Sequence, residues 1–221
     1  MADAIRRARP DDARFLAWVI LAATRSHRPR SFFDLLLPES DALRTGVIEE
    51  LVLQEKPSWW HWSLFWIAEH EGRPAAALSG FDPRLLAATS ESVPAALAAR
   101  GIDAESQAAR FANCAPMFAC FHHPAPDAWV VESVATRPEA RGRGLAQALV
   151  DQVLAEGRDA GHEIAQLTIL IGNTAAQRVY ESRGFRINAE KRDPAFEAEI
   201  GSPGLAQMTC PLRESRAAPV R

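Results

Sequence analysis

Arg141-Gly142-Arg143-Gly144-Leu145-Ala146 separates an apolar, strand-like run, Trp129 to Thr136, from a strongly helical one, Gln147 to Ala160. Strand, glycine-bearing turn and helix in that order build a phosphate cradle. Glycine lets the backbone come close to an anion and adopt positive φ, and the unpaired amides and partial positive charge of a helix N-terminus hold that anion. The pattern predicts a chain that binds a phosphorylated cofactor.

Spacing decides which phosphate binder this is. A P-loop requires Gly-x-x-x-x-Gly-Lys-Ser/Thr, and a dinucleotide fold requires Gly-x-Gly-x-x-Gly with an acidic residue about 20 positions on. Here Gly142-Arg143-Gly144 is followed by Leu145-Ala146-Gln147, without the third glycine. What remains is Arg141-x-x-Gly144-x-Ala146. Further on, Ile164 to Ile171 reads as a buried strand, and Asn173-Thr-Ala-Ala176-Gln-Arg-Val-Tyr180-Glu-Ser-Arg-Gly184-Phe185 follows it. The first segment resembles the pyrophosphate loop of the GCN5-related N-acetyltransferases (GNAT), written Gln/Arg-x-x-Gly-x-Gly/Ala. The second resembles the same family's Asn-x-x-Ala-x-x-x-Tyr-x-x-x-Gly-Phe segment at every fixed position. The likeness is close over 129–192 and only general over the N-terminal half.

The resemblance implies a mixed α/β fold: a central, mostly antiparallel sheet, splayed at a cofactor cleft and flanked by helices. It also implies acetyl-coenzyme A (acetyl-CoA) as co-substrate, no metal, and direct acetyl transfer to an amine. The acceptor would be a small-molecule or peptide amine. A non-catalytic acyl-CoA-binding module and an acyltransferase using another acyl group remain the alternatives. A homodimer is compatible with the family and with the apolar content.

The 221 residues, 48% of them hydrophobic, suffice for one substantial core, read here as a single domain with an insertion over 84–125. A net charge of −3 with scattered lysines and arginines gives no basic face for nucleic acid. Cys114, Cys120 and Cys210 form no paired framework and no metal spacing, which suits packed thiols in a reducing, cytoplasmic setting. The apolar run Phe15 to Ala23 behind Arg6, Arg7 and Arg9 imitates a signal peptide. Pro10-Asp11-Asp12 instead makes it a helix with acidic groups at its positive end, and it is far shorter than the roughly 20 residues of a membrane span.

Along the chain, Ala4 to Arg9 reads as a first strand, followed by helices over 12–25 and 41–54. The runs Leu64 to His70 and Ala75 to Phe81 flank Glu71-Gly72-Arg73-Pro74 and predict an antiparallel hairpin. Residues 84–112 read as two short helices or an irregular excursion, and Ala115 to Phe121 as a strand. Strand 129–136, helix 145–160, strand 164–171, helix 174–183 and strands over 185–192 and 204–212 complete the pattern. In the helix after the cradle, Leu145, Leu149 and Val153 recur at i, i+4, i+8, and Gly161 ends it.

Acyl transfer to an amine needs a deprotonated nitrogen, a polarised thioester carbonyl and a protonated leaving thiolate. The resemblance assigns the carbonyl to backbone groups of Val134, Ala135 and Thr136, and the pyrophosphate to Arg141, Gly142, Arg143, Gly144, Leu145 and Ala146. Tyr180, the only tyrosine, is the candidate general acid, since a phenol of ordinary pKa near 10 stays protonated at neutral pH. Asn173 can cap its helix or bond the pantetheine amides. Glu132, an acidic residue inside an apolar strand, is the candidate general base. Strict alternation puts it on one face with Val130 and Val134, opposite Val131, Ser133 and Ala135. His122 and His123 are the alternative base. Trp59, Trp60, Trp62 and Trp66 either fill the core or line an acceptor pocket.

Overall fold

The computed structural model describes residues 4–86 and 88–212. Seven strands form one sheet: β1 (Ala4–Arg7), β2 (Phe65–His70), β3 (Arg73–Phe81), β4 (Ala128–Thr136), β5 (Ile164–Leu170), β6 (Arg186–Arg192) and β7 (Gly204–Pro211). Their spatial order is β1-β2-β3-β4-β5-β7-β6, and every neighbouring pair is antiparallel except β4 and β5. The mostly antiparallel, helix-flanked sheet expected from the sequence is therefore present.

Nine helices are described: α1 (Ala13–Arg25), α2 (Phe32–Leu36), α3 (Asp41–Leu53), α4 (Thr89–Ala99), α5 (Ala104–Asn113), α6 (Ala115–Cys120), α7 (Leu145–Asp159), α8 (Thr174–Glu181) and α9 (Pro194–Ile200). They divide the core in two. Over one face of the sheet, α1, α2, α3 and α9 bury Leu16, Ile20, Phe33, Ile48, Leu51 and Phe196 against Phe65, Ile67, Ala77 and Leu205. Over the other, α7 lays the predicted stripe of Leu145, Leu149 and Val153, together with Val150 and Leu154, on Leu78, Trp129, Val131 and Leu167. Gly80 lets that helix approach closely: a Cβ there would sit 2.2 Å from Val153 Cγ1. None of the described helices is long and apolar enough to cross a membrane.

Three departures from the sequence reading have local causes. Ala115–Cys120 is a helix and not a strand: Pro116 occupies its first turn, where a missing N–H costs nothing, and the buried Met117 and Cys120 stand three residues apart on one helical face. The 84–112 region takes the two-helix alternative, α4 and α5. Between β6 and β7 lies the unanticipated α9, capped by Asp193, whose side chain accepts from the Phe196 amide at 2.8 Å, and stopped by Gly201 at φ 79°. The short α2 was likewise not expected. The hairpin turn is Glu71-Gly72, with φ of 53° and 75°, so β3 begins at Arg73.

Candidate active site

β4 and β5 pair only at their beginnings, Ala128 to Val130 against Ile164 to Gln166. Beyond that point they part, and a V opens between two strands of one sheet. On its other side β4 keeps pairing with β3 as far as Thr136, so Val134, Ala135 and Thr136 line the open limb with backbone that β5 leaves unpaired. The divergence coincides with a β-bulge. Ala77 faces Ala135 while Ser79 faces Glu132, so β4 carries an extra residue where β3 has only Leu78. Ser133 absorbs it at φ 54°, and Ser79 Oγ donates to the Glu132 carbonyl at 3.0 Å.

The bulge overturns the alternation expected for this strand. Val134 packs with Val131 in the α7-side core, and Ala135 packs on the α1 side. Glu132 is thus separated from Val134. It borders a cavity of about 50 Å³ at the apex of the V, with Trp59, His122, Pro124, Val130, Gln166 and Thr168. Its Oε2 is buried without a hydrogen-bond partner among the described residues. Burial alone raises its pKa to about 7.

Tyr180 lies on the other side of the sheet. It is buried in the α7-side core, 5.7 Å from the Phe185 ring in an edge-to-face contact, and its hydroxyl makes no hydrogen bond to a described residue. Burial, and secondarily the charge of Glu132, push its pKa up, so the phenol holds its proton throughout the neutral range. The acid candidate thus sits in the α7-side core and the base candidate at the cavity, near enough for the charge of Glu132 to act on the phenol.

At the open end of the V, β4 runs through residues 137–144 into α7. Gly142 and Gly144 both have left-handed φ, 76° and 77°, and the space that a Cβ would take is open at each. The amides of Leu145, Ala146 and Gln147 meet no acceptor among the described residues. Arg141 and Arg143 are exposed, and Arg141 Nε donates to the Thr136 carbonyl at 3.4 Å. Free amides, open space, a helix N-terminus and two guanidiniums fit a pyrophosphate.

The other sequence candidates separate clearly. Asn173 caps α8 by accepting from the Ala176 amide at 3.1 Å and donates to Ser26 Oγ at 2.5 Å, so its amide is already used at both ends. His122 Nε2 donates to the Leu205 carbonyl at 3.1 Å and its ring borders the cavity; His123 does not border it. Of the tryptophans, only Trp59 borders it. Trp60 packs on Phe33, Trp62 on His61, and Trp66 lies under Arg7 and donates to Glu156. The three cysteines are buried and free, and burial raises Cys114 to about 12, which leaves it no thiolate for nucleophilic work.

Gln166, Thr168 and Pro124 were not anticipated in the site. Two polar residues two apart in an otherwise apolar strand were the signal for the first pair, since period two puts both on one face. A larger groove of about 430 Å³, bordered by Arg30, Asp34, Pro116 and Glu199, includes none of the V or cradle residues. Its charges are spent on each other and on neighbours, Arg30 on Glu199 at 2.9 Å and Asp34 on Arg25 at 2.5 Å.

Several solved structures share this fold at low sequence identity. An acetyltransferase aligns over 95% of this chain and 100% of its own, with TM-score 0.69 and 16% identity. An N-acetyltransferase from Staphylococcus aureus Mu50 aligns over 93% and 99%, with TM-score 0.62 and 17% identity. YncA from Salmonella typhimurium, solved with its cofactor acetyl-CoA, aligns over 100% of both chains, with TM-score 0.55 and 16% identity. No curated protein matches the chain by sequence. The acetyltransferase (GNAT) family matches residues 31–185, which include the splayed strands, the glycine cradle and Tyr180, and the chain belongs to that family.

Proposed function

We propose that this protein is an acetyl-CoA-dependent N-acetyltransferase that acts by direct attack of an acceptor amine, with Glu132 and Tyr180 as its proton-transfer residues. The observation that carries the reading is the V between β4 and β5, which has the glycine cradle at its open end and, at its apex, a carboxylate whose Oε2 has no partner among the described residues. The cradle residues Arg141 to Ala146 would hold the pyrophosphate, and unpaired backbone of Val134 to Thr136 would pair with the pantetheine arm. Bound acetyl-CoA supplies a thioester, the activated acyl group.

The chain's own groups meet the remaining demands. Glu132, with a pKa near neutrality, takes a proton from the acceptor ammonium, directly or through one water. A β4 amide polarises the carbonyl as the nitrogen–carbon bond forms. Tyr180 gives its proton to the sulfur as the carbon–sulfur bond breaks, and the second proton of the attacking nitrogen passes to the Tyr180 phenolate, leaving an amide, a free thiol and a neutral phenol. Asn173 belongs to this reading as a positioning group: by capping α8 and tying it to the end of α1 it holds the helix that carries Tyr180.

Calorimetric titration of acetyl-CoA, with ATP and NAD as controls, tests the cradle; thiol release with a panel of amines tests the transfer. Saturable binding specific to coenzyme A, with amine-dependent thiol release that Tyr180→Phe slows, is the expected result. Binding without release for any amine makes the protein an acyl-CoA-binding module. Faster release with a longer acyl-CoA identifies another acyl donor.

A further inference from the structure

The apex cavity has two unlike walls. One is Trp59, from the loop before β2, packed on Phe81 with ring centroids 5.4 Å apart. The other is the segment 121–125, which crosses the sheet face as a strap and is tied to three strands in turn. Lys191 Nζ on β6 donates to the Phe121 carbonyl at 2.6 Å, and His122 Nε2 donates to the Leu205 carbonyl on β7 at 3.1 Å. Gln166 on β5 donates through Nε2 to the His123 carbonyl at 3.4 Å and accepts from the Ala125 amide at 3.1 Å. Both bonds of Gln166 come from a buried side chain, so the strap is fixed to the sheet from below.

Between these walls lies Glu132, whose Oε2 has no partner among the described residues. A carboxylate oxygen buried in that state, on a residue that is otherwise half-buried, is relieved by a cation, and an indole beside it tolerates an alkylammonium far better than an anion. The cavity of about 50 Å³ has room for about four water-sized groups. That accommodates an ammonium and two or three carbons in line. A carbon substituent beside the nitrogen would have to displace either the packed indole or the tied strap.

Resting on the acyl-transfer reading above, we propose that the acceptor is a primary amine borne on an unbranched carbon, an aminoalkyl end, and that Trp59 and the Gln166-held strap are the residues that select it. An amine on a branched carbon, such as a peptide α-amine, is excluded by the same walls.

The isomers n-butylamine and sec-butylamine test this, since they match in composition and basicity and differ in the branch alone. Thiol release is followed with saturating acetyl-CoA for the unmodified protein, Trp59→Ala and Gln166→Leu, and acetyl-CoA affinity is measured on each by calorimetry. The expected kcat/KM ratio favours n-butylamine by about tenfold or more, the discrimination that a misfit carbon costs in a closed pocket. Each variant should bring the ratio close to unity with acetyl-CoA affinity unchanged; Gln166→Leu serves independently should Trp59→Ala lose its fold. Equal rates for the two isomers in the unmodified protein overturn the inference, as does a ratio that neither variant moves. A Trp59→Ala protein that gains hexanoyl-CoA turnover while keeping its amine ratio assigns the cavity to the acyl chain and overturns it too. Acetyl-CoA binding with neither amine consumed defeats the inference alone, whereas absence of acetyl-CoA binding defeats the reading beneath it.

Discussion

Replacing Glu132 by glutamine separates what this carboxylate costs the fold from what it does. Burial moves its pKa from the usual 4.5 to about 7. That gap is worth about 3 kcal/mol at 1.36 kcal/mol for each tenfold in proton affinity. Between pH 4.5 and 7 the folded chain keeps a proton that the unfolded chain has released. The unfolded state then binds fewer protons, so stability falls as pH rises through this window and levels off above it. Glutamine nearly matches the shape and cannot ionise, so Glu132→Gln should unfold in urea within about 1 kcal/mol of the parent at pH 5 and be more stable by about 2–3 kcal/mol at pH 8.5. In the same protein, kcat/KM should fall by about 10²–10⁴, the usual contribution of a general base, and lose the limb that rises through about pH 7 in the parent. Parallel stabilities at the two pH values would show that the carboxylate is solvated or paired, and the burial argument would fail. A variant that kept the parent's kcat/KM and its rising limb would remove Glu132 from the mechanism.

Gly144→Glu puts bulk and negative charge into the open cradle at a left-handed position, so calorimetry should show coenzyme A affinity reduced by two orders of magnitude or so, while stability drops only by the roughly 1–2 kcal/mol of the backbone penalty. Tyr180→Phe removes a hydroxyl that no described residue bonds, so the melting temperature should hold and kcat should fall by roughly 10²-fold, with acetyl-CoA affinity unchanged; an unaltered kcat would leave Tyr180 as a packing residue. Asn173→Ala deletes the cap of α8 and its tie to Ser26, so chemical denaturation should report a loss of about 1 kcal/mol or more, and full stability would mean the cap is redundant.

What was legible in the sequence follows from how local each signal is. The stripe of Leu145, Leu149 and Val153 marks α7 because only the helical period brings those side chains onto one face. Gly142 and Gly144 mark the cradle because both positions require a φ that other residues resist. The helix Ala115–Cys120 was misread because six residues are too few for either period to declare itself, and its apolar content suits a strand as well as a buried helix turn. α9 is hard to read from sequence although Asp193-Pro194 and Gly201 are a start and a stop, because seven residues between two strands carry little apolar pattern. The membership of the cavity was the least legible part. Trp59, the His122–Pro124 segment and Gln166 come from three separate stretches, and only tertiary packing joins them.

The one extra residue in β4 ties these observations together. With strict alternation Glu132 would share a face with Val134, and side chains of β4 would continue along the cavity face of the strand toward the cradle. The bulge at Ser133 returns Val134 to the α7-side core and leaves Glu132 as the last side chain of β4 directed at the cavity. Bulges increase local twist and bend the strand that carries them. Here the pairing with β5 ends at Val130, three residues before the bulge, so one device accounts for the opening of the V, for backbone left unpaired along Val134 to Thr136, and for the isolation of the carboxylate at the apex. A serine at φ 54° costs of order 1–3 kcal/mol. Glycine would remove most of that cost and would have announced the bulge in the sequence; serine conceals it, and for that reason the strand reads as regular when the site depends on its irregularity.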